Sequence, residues 1–243
     1  QRSAAWGEVA RRLAHEIKNP LTPIQLSAER LQFKLADKLA NGDADMLARG
    51  TQTIINQVQA MTQLVNEFRD YARLPAAQLS PLVLNELVQE VLALYGQEQE
   101  QGRLVAHLAD KLPSIMGDAT QLRQVVLNPV QHALDAEADR PDGNVRVATS
   151  AALGERGELR AVRLSIVDNG PGFADNVLQR AFEPYITTKS KGTGLGLAVV
   201  KKIADEHRAT VRIANLRQGE APNERVAGAR VSLSFSTFMP TPG

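Results

Sequence analysis

An all-α helical hairpin followed by an α+β sandwich is the fold class this sequence predicts, and three observations carry it. Residues 1–76 contain two amphipathic stretches with apolar residues at heptad spacing. The run Leu74-Pro75-Ala76-Ala77-Gln78-Leu79-Ser80-Pro81 then breaks that pattern in the manner of a domain linker. From residue 82 onward, helix-period and strand-period segments mix, as they do when helices cover an antiparallel sheet.

In the first stretch, apolar or small residues recur at Trp6, Ala10, Leu13, Ile17, Leu21, Ile24, Ala28, Leu31 and Leu35, a heptad seam with one stutter beside Pro20. Proline removes a backbone donor and clashes with the preceding turn, so a kink is expected just after His15. His15 lies off the seam and is expected to face outward. The polar run Asn41-Gly42-Asp43-Ala44-Asp45 reads as the turn of the hairpin. The second helix carries its stripe at Leu47, Ile54, Val58, Met61, Val65, Phe68 and Ala72. Neither stripe is buried by a lone hairpin. Pairing two hairpins into a four-helix bundle buries both, which predicts a homodimer, with a coiled-coil spacer as the alternative.

The second region reads as a helix over 84–100, a strand at 104–108, the run Pro113-Ser114-Ile115-Met116 with Gly117-Asp118, and a helix over 119–138. Strands at 144–151 and 160–168 come next, then mixed helix and loop over 174–191 and a helix over 194–206. Strands at 210–214 and 229–235 complete it.

Composition narrows the function classes. With 27 acidic against 28 basic residues, net charge advertises no nucleic-acid or membrane-surface partner. The absence of cysteine excludes disulfides, thiol catalysis and thiolate metal sites. No run in this sequence reaches the roughly 18 apolar residues of a membrane span, and no signal peptide is expected within it. The chain opens at Gln1 rather than methionine, so a piece of a longer protein is expected.

Four motifs carry chemistry. Asp168-Asn169-Gly170-Pro171-Gly172 closes a strand. Asn-Gly there is a strong hairpin-turn signal. Alternatively, a strand-end acid accepts a hydrogen bond from an exocyclic amine while glycines let backbone approach a flat ring. Gly192-Thr193-Gly194-Leu195-Gly196-Leu197 opens a helix, and a glycine-rich turn at a helix N-terminus presents free N–H groups to phosphate. Its spacing is neither the dinucleotide fingerprint nor a P-loop. Asn128 and His132 are four apart and so share one helix face. His15-Glu16 with Asn19 places an imidazole nucleophile, an acid and an amide within one turn.

Together these motifs resemble the sensor histidine kinases of two-component systems, with a HisKA-type dimerisation hairpin and a GHKL, or Bergerat-type, ATP-binding domain. The run His15-Glu16-Ile17-Lys18-Asn19-Pro20-Leu21-Thr22-Pro23-Ile24 is most similar to the nitrogen-regulation, NtrY-like branch, and the resemblance covers nearly the whole chain. It implies a phosphotransfer hairpin over 1–76 and an ATP-binding catalytic domain over 77–243. His15 becomes the phosphoacceptor, and Glu16 the base or tautomer holder. Asn19 orients water for dephosphorylating the partner, unless it is only a polar residue at a helix kink.

Asp168 reads the adenine amine, with Gly170 and Gly172 as ring-side backbone. The resemblance gives the phosphates to Thr193, Gly194, Leu195 and Gly196. Phe182-Glu183-Pro184-Tyr185 with Thr187-Thr188-Lys189 resembles the F box and nucleotide lid, in which Lys189 meets a phosphate or is a solvated surface lysine. Asn128 and His132 occupy the places that serve Mg²⁺ and the phosphates of ATP.

Three departures stand out. His132 replaces an asparagine whose oxygen suits hard Mg²⁺ better than imidazole does. Pro129 falls inside that helix, and Glu206-His207-Arg208-Ala209 stands where the family has His-Gly-Gly. The implied partners are a second copy of the chain and a response-regulator receiver domain, with no nucleic acid. The implied location is the cytoplasmic portion of an inner-membrane sensor, touching membrane only through segments outside this sequence. The expected activity is autophosphorylation on His15 and transfer to an aspartate. The alternatives are a catalytically impaired or phosphatase-biased scaffold, and a gyrase- or chaperone-type ATPase.

Overall fold

A computed structural model of the chain describes residues 2–183, 196–219 and 225–238, with side chains from residue 7 onward. The chain divides into two compact units between Pro75 and Ala76.

The first unit is a helical hairpin. Helix α1, Arg2–Leu35, runs as one helix through Pro20 and Pro23. The chain reverses through a 3₁₀ turn, Ala36–Lys38, and helix α2, Asn41–Ala72, returns. The turn expected at residues 41–45 is therefore the first turn of α2, and the reversal falls at 36–40 instead. Extended Ala40 caps α2, and Ala44 N–H already bonds Ala40 C=O at 2.8 Å. Asp43 then sits in the first helical turn, where its charge complements the exposed N–H groups. The same polar residues that build turns also open helices.

The two helices pack through small residues. Gly7, Ala10, Ala14, Leu21 and Ala28 of α1 are buried, as are Thr51, Ile55, Val58, Val65 and Ala72 of α2. The heptad seam is split by this packing. Leu13, Ile24, Leu31, Ile54 and Met61 stay 44–48% exposed in the single protomer. The apolar stripe is thus wider than one hairpin covers, the pattern of a helix with two partners.

In the second unit, strand β1, Ser80–Leu82, precedes helix α3, Leu84–Leu92. A 3₁₀ turn, Ala93–Tyr95, leads into helix α4, Gly96–Glu100, so the single helix expected over 84–100 is broken before Gly96. Strands β2, Leu104–His107, and β3, Ile115–Gly117, lead to helix α5, Ala119–Ala136. Strands β4, Val145–Leu153, and β5, Leu159–Asp168, are followed by helices α6, Asp175–Arg180, and α7, Gly196–Glu206. Strands β6, Thr210–Gln218, and β7, Arg225–Phe235, finish the unit and extend beyond their predicted bounds.

The main sheet has the order β2-β4-β5-β7-β6, parallel only between β2 and β4, while β1 and β3 form a separate antiparallel pair. Helices α3, α5 and α7 layer the sheet, with α5 meeting both β4 and β5 and α7 meeting β6. Leu84, Leu122, Val126, Val130, Leu164, Ile166, Ile203 and Leu233 fill the interface, each no more than 2% exposed. This is the predicted α+β sandwich.

The end of α7 explains one departure from the family pattern. Ala209 N–H bonds Ala204 C=O at 2.8 Å and Arg208 N–H bonds Asp205 C=O at 3.1 Å, a Schellman cap. Such a cap places the intervening residue in the left-handed region, and Arg208 has φ of 52°. Beside it, buried His207 accepts from Asp118 N–H through Nε2 at 2.9 Å and donates from Nδ1 to Ile203 C=O at 2.8 Å, locking α7 to the start of α5. His207 therefore keeps the family histidine's place, while arginine takes the position that favours glycine. Arg208→Gly is expected to stabilise the chain by about 1 kcal/mol, which raises the melting temperature by roughly 2–4 °C. A calorimetric melt checks this.

Candidate functional site

In the second unit, the site is built where the C-terminal end of β5 meets α5. Asp168 ends the strand, is 7% exposed, and accepts the Gly170 N–H through Oδ1 at 2.9 Å. Asn169 ties the next step down. Its Oδ1 accepts Asn144 N–H at 2.8 Å, and its amide donates to Asp142 C=O at 2.8 Å. The Asn-Gly pair is not a hairpin turn, because β5 pairs with β4 and β7 and the chain continues into α6.

The two glycines that follow permit close packing. A Cβ on Gly170 would lie 2.6 Å from Glu137 Oε1, and one on Gly172, whose φ is +76°, would lie 2.7 Å from Asn215 Oδ1. Asn215 of β6 clamps Phe173, accepting its N–H at 2.7 Å and donating to its C=O at 2.8 Å. Glycine at 172 is therefore required by its positive φ and by neighbouring side chains, whereas a side chain at 170 would displace the Glu137 carboxyl.

Helix α5 supplies the opposite wall. Its N-cap Asp118 accepts N–H groups from Thr120 and Gln121 at 3.0 and 3.2 Å. One turn apart on this helix stand Asn128 and His132. The Asn128 amide donates to Gly196 C=O at 3.4 Å, linking α5 to the first residue of α7. The His132 ring stacks on Phe173, with centroids 5.4 Å apart and planes 23° apart. Pro129 lies between them, buried, in a helix that continues to Ala136. Lys189, Thr193, Gly194 and Leu195 lie outside the described residues. Gly196 opens α7, where a Cβ would meet nothing within 4 Å.

Sequence reasoning missed Glu137. At 1% exposure it is among the most buried polar residues, and both carboxyl oxygens lack a hydrogen-bond partner among the described residues. Arg140 Nε approaches Oε2 at only 3.8 Å. Burial first, and then the neighbouring charge of Asp168, push its carboxyl above the usual range. Asn215 and Phe173 were also missed as clamp residues, since their pairing spans 42 positions and leaves no local pattern.

The residues fit a purine at the Asp168 end, where a buried carboxyl stands beside a glycine turn and a second buried carboxyl has no hydrogen-bond partner among the described residues. They fit Mg²⁺ less well. Asn128 offers one hard oxygen, whereas position 132 offers an imidazole already stacked on a ring. No group of three His, Cys, Asp or Glu able to hold a metal occurs among the described residues.

In the first unit, His15, Glu16 and Asn19 all lie on the exposed side of α1. Glu16 Oε1 accepts from Arg12 Nε at 3.2 Å, one turn back, in a pair open to solvent. The outward-facing His15 is as expected from its position off the seam.

Comparisons with known proteins agree with this division. Residues 5–77 match the His Kinase A (phospho-acceptor) domain, and residues 117–237 match the histidine kinase-, DNA gyrase B- and HSP90-like ATPase. The nitrogen regulation protein NtrY of Azorhizobium caulinodans is 37% identical over 96% of this chain and 29% of its own length. A putative NtrY-like sensor histidine kinase of Rickettsia conorii is 34% identical over 97% of this chain and 37% of its own. The chain thus spans about a third of the length of these curated relatives. The crystal structure of full-length ShkA in complex with AMPPNP aligns at a TM-score of 0.66 and 26% identity, over 97% of this chain and 47% of that one. With a phosphoacceptor hairpin and a GHKL ATPase in this order on one chain, and with NtrY-like relatives along nearly all of it, the protein belongs to the sensor histidine kinases.

Proposed function

We propose that this chain is the kinase core of a two-component sensor, acting as a homodimer. The observation that carries this reading is the exposed His15-Glu16 pair on a phosphoacceptor hairpin, joined in one chain to an ATPase unit. A lone pair on a His15 ring nitrogen attacks the γ-phosphorus of ATP, the bond to the β-phosphate oxygen breaks, and ADP leaves. Glu16 takes or holds the proton on the other ring nitrogen, which keeps the attacking nitrogen nucleophilic. The phosphoryl group then passes to an aspartate of a response-regulator receiver domain. The exposure of His15 supports that step, since a partner must reach it. Asn19, one turn on, orients water in the reverse, phosphatase direction.

Asp168 accepts from the adenine amine, and Asn128 serves the phosphates and supplies one oxygen ligand to Mg²⁺. Lys189, Thr193, Gly194, Leu195 and Gly196 are assigned to the phosphates through the family motif. Mg²⁺ supplies charge neutralisation when bound. The exposed Leu13, Ile24, Leu31, Ile54 and Met61 support the four-helix dimer, which would cover them. The relatives are sensor kinases of about three times this length, which supports reading the chain as the cytoplasmic part of a membrane sensor. Among the described residues no helix is long and apolar enough to cross a membrane.

A second reading is favoured by His132, whose imidazole stacks on Phe173 where the family has a metal-binding asparagine. In that reading the chain binds nucleotide but phosphorylates slowly, and acts as a phosphatase-biased scaffold. Incubation with γ-labelled ATP and Mg²⁺ separates the two. The kinase reading expects an acid-labile, base-stable label that moves to an added receiver domain. Nucleotide binding without label supports the scaffold. ATP hydrolysis without label overturns both in favour of a gyrase-type ATPase.

A further inference from the structure

The strands of the main sheet alternate apolar and polar residues, as in Val145-Arg146-Val147 and Val231-Ser232-Leu233, so one face meets the helices and the other meets solvent. On the open face the charges share one sign. Arg146 on β4, Arg163 on β5, Arg230 on β7 and Arg212 on β6 are all exposed there. Strand register lays them out in rows. Val167 pairs with both Arg146 and Arg230, which sets those two arginines in one row. In the next row Ser165 pairs with Ala148 and Ser232, and Ser232 pairs with Arg212. In the third, Arg163 pairs with Ser150 and Ser234, and its Nε donates to Ser234 Oγ at 3.4 Å. At ordinary strand spacings the four arginines rise from a field about 14 Å on a side.

No acid stands in these three rows, and none of the four arginines is ion-paired among the described residues. Other exposed arginines of the unit behave differently, since Arg123, Arg160 and Arg180 pair with Glu90, Glu158 and Glu183. With 27 acids against 28 bases in the chain, an ordinary solvated face would mix the signs. A net charge near zero conceals this patch. Protection of a sheet edge does not account for it, because β4, β5 and β7 are interior strands and only Arg212 lies on an edge strand. Nor does the nucleotide. The alternate residues of β5, Leu164, Ile166 and Asp168, are buried on the helix-covered side, so the arginines lie across the sheet from the purine end.

We propose that this open sheet face is a docking surface for an anionic phospholipid bilayer. Guanidinium and hydroxyl donors suit phosphate oxygens, and a broad pleated face suits an extended charged surface. The three rows hold no aromatic ring to stack a single-stranded base and no large apolar anchor for a protein partner. The choice of a bilayer rests on the reading of the chain as the cytoplasmic part of a membrane sensor, whose relatives are about three times this length. For a tethered domain the bilayer is the polyanion always within reach, so contacts that are weak in free solution become effective.

The test is co-sedimentation of the whole chain with phosphatidylcholine vesicles and with vesicles that also contain phosphatidylglycerol. The parent is expected to partition onto the anionic vesicles only, and to leave them as salt rises. Each arginine near an anionic surface is worth about fivefold, so Arg146→Gln, Arg163→Gln, Arg212→Gln and Arg230→Gln combined should lose at least about a hundredfold. A control with the same net charge, Lys111→Gln, Arg123→Gln, Arg156→Gln and Arg180→Gln combined, should partition like the parent. No binding by the parent, or equal loss in the control, overturns the proposal. Tighter binding of the parent to duplex DNA than to anionic vesicles overturns it in favour of a nucleic acid. If the fourfold variant melts early, the doubles Arg146→Gln with Arg230→Gln and Arg163→Gln with Arg212→Gln carry the test, each expected to lose about 25-fold. Labelling of His15 without vesicles is scored separately. Label with no vesicle binding removes the docking surface alone, whereas vesicle binding without label keeps the surface and removes the kinase reading.

Discussion

His15→Ala is expected to lose acid-labile label from γ-labelled ATP by at least about a thousandfold while binding ADP as tightly as the parent. The chain has four histidines, and their settings differ enough to single one out. His207 is 1% exposed, with both ring nitrogens engaged between Asp118 N–H and Ile203 C=O. His132 is stacked on Phe173 in the ATPase unit. His107 is exposed on β2 but has no acid beside it in sequence. Only His15 combines exposure, a helical platform and an adjacent carboxylate. Removal of an imidazole removes the attacking atom itself, so no residual transfer to that position remains. An exposed surface substitution costs about 0.5 kcal/mol at most, so loss of label does not report unfolding. The control is His107→Ala, which should label like the parent. Label persisting in His15→Ala and vanishing in His107→Ala would move the acceptor to β2 and overturn the reading.

Much of this architecture is legible in the residue pattern because periodicity reports burial directly. Val162, Leu164 and Ile166 alternate with Arg163 and Ser165, and the three apolar members are 0–2% exposed in the centre of the sheet. The hairpin helices are equally legible as helices. Which apolar residues each helix gives to its partner is not, because Ala14 and Leu13 are adjacent and only the three-dimensional packing decides that Ala14 is covered and Leu13 left for another surface. The hairpin turn was misplaced for a different reason. Asn41, Gly42 and Asp43 favour turns and helix N-termini for one and the same hydrogen-bonding chemistry, so composition cannot separate the two uses.

Within the site, what local sequence carries well is the strand-end acid and the glycines after it. What it does not carry is why those glycines are needed, since the side chains that fill their space come from Glu137 at the end of α5, Asn215 on β6 and Val226 on β7. Arg208 shows the converse. The departure from a glycine is plain in the sequence, but its cost appears only with the positive φ of the helix cap.

His132→Asn is expected to raise Mg²⁺-dependent labelling of His15 by about 10- to 100-fold, and at the same time to lower the melting temperature by a few degrees. On the proposed reading of this position as a metal place, the two effects have opposite signs, because the imidazole packs on Phe173 while an asparagine oxygen would serve Mg²⁺. The imidazole stack on Phe173 is worth about 0.5–1.5 kcal/mol, and Phe173 is held rigidly by the paired hydrogen bonds from Asn215 at 2.7 and 2.8 Å. Asparagine gives up that stack and places an amide oxygen one helical turn from Asn128, so that one face of α5 offers two hard oxygen donors in place of one. The Mg²⁺ concentration for half-maximal labelling should therefore fall together with the gain in rate. A rate gain with no change in Mg²⁺ dependence would assign His132 to positioning rather than to the metal. A loss of rate would make the imidazole itself part of this chain's machinery, and the substitution an adaptation rather than an impairment.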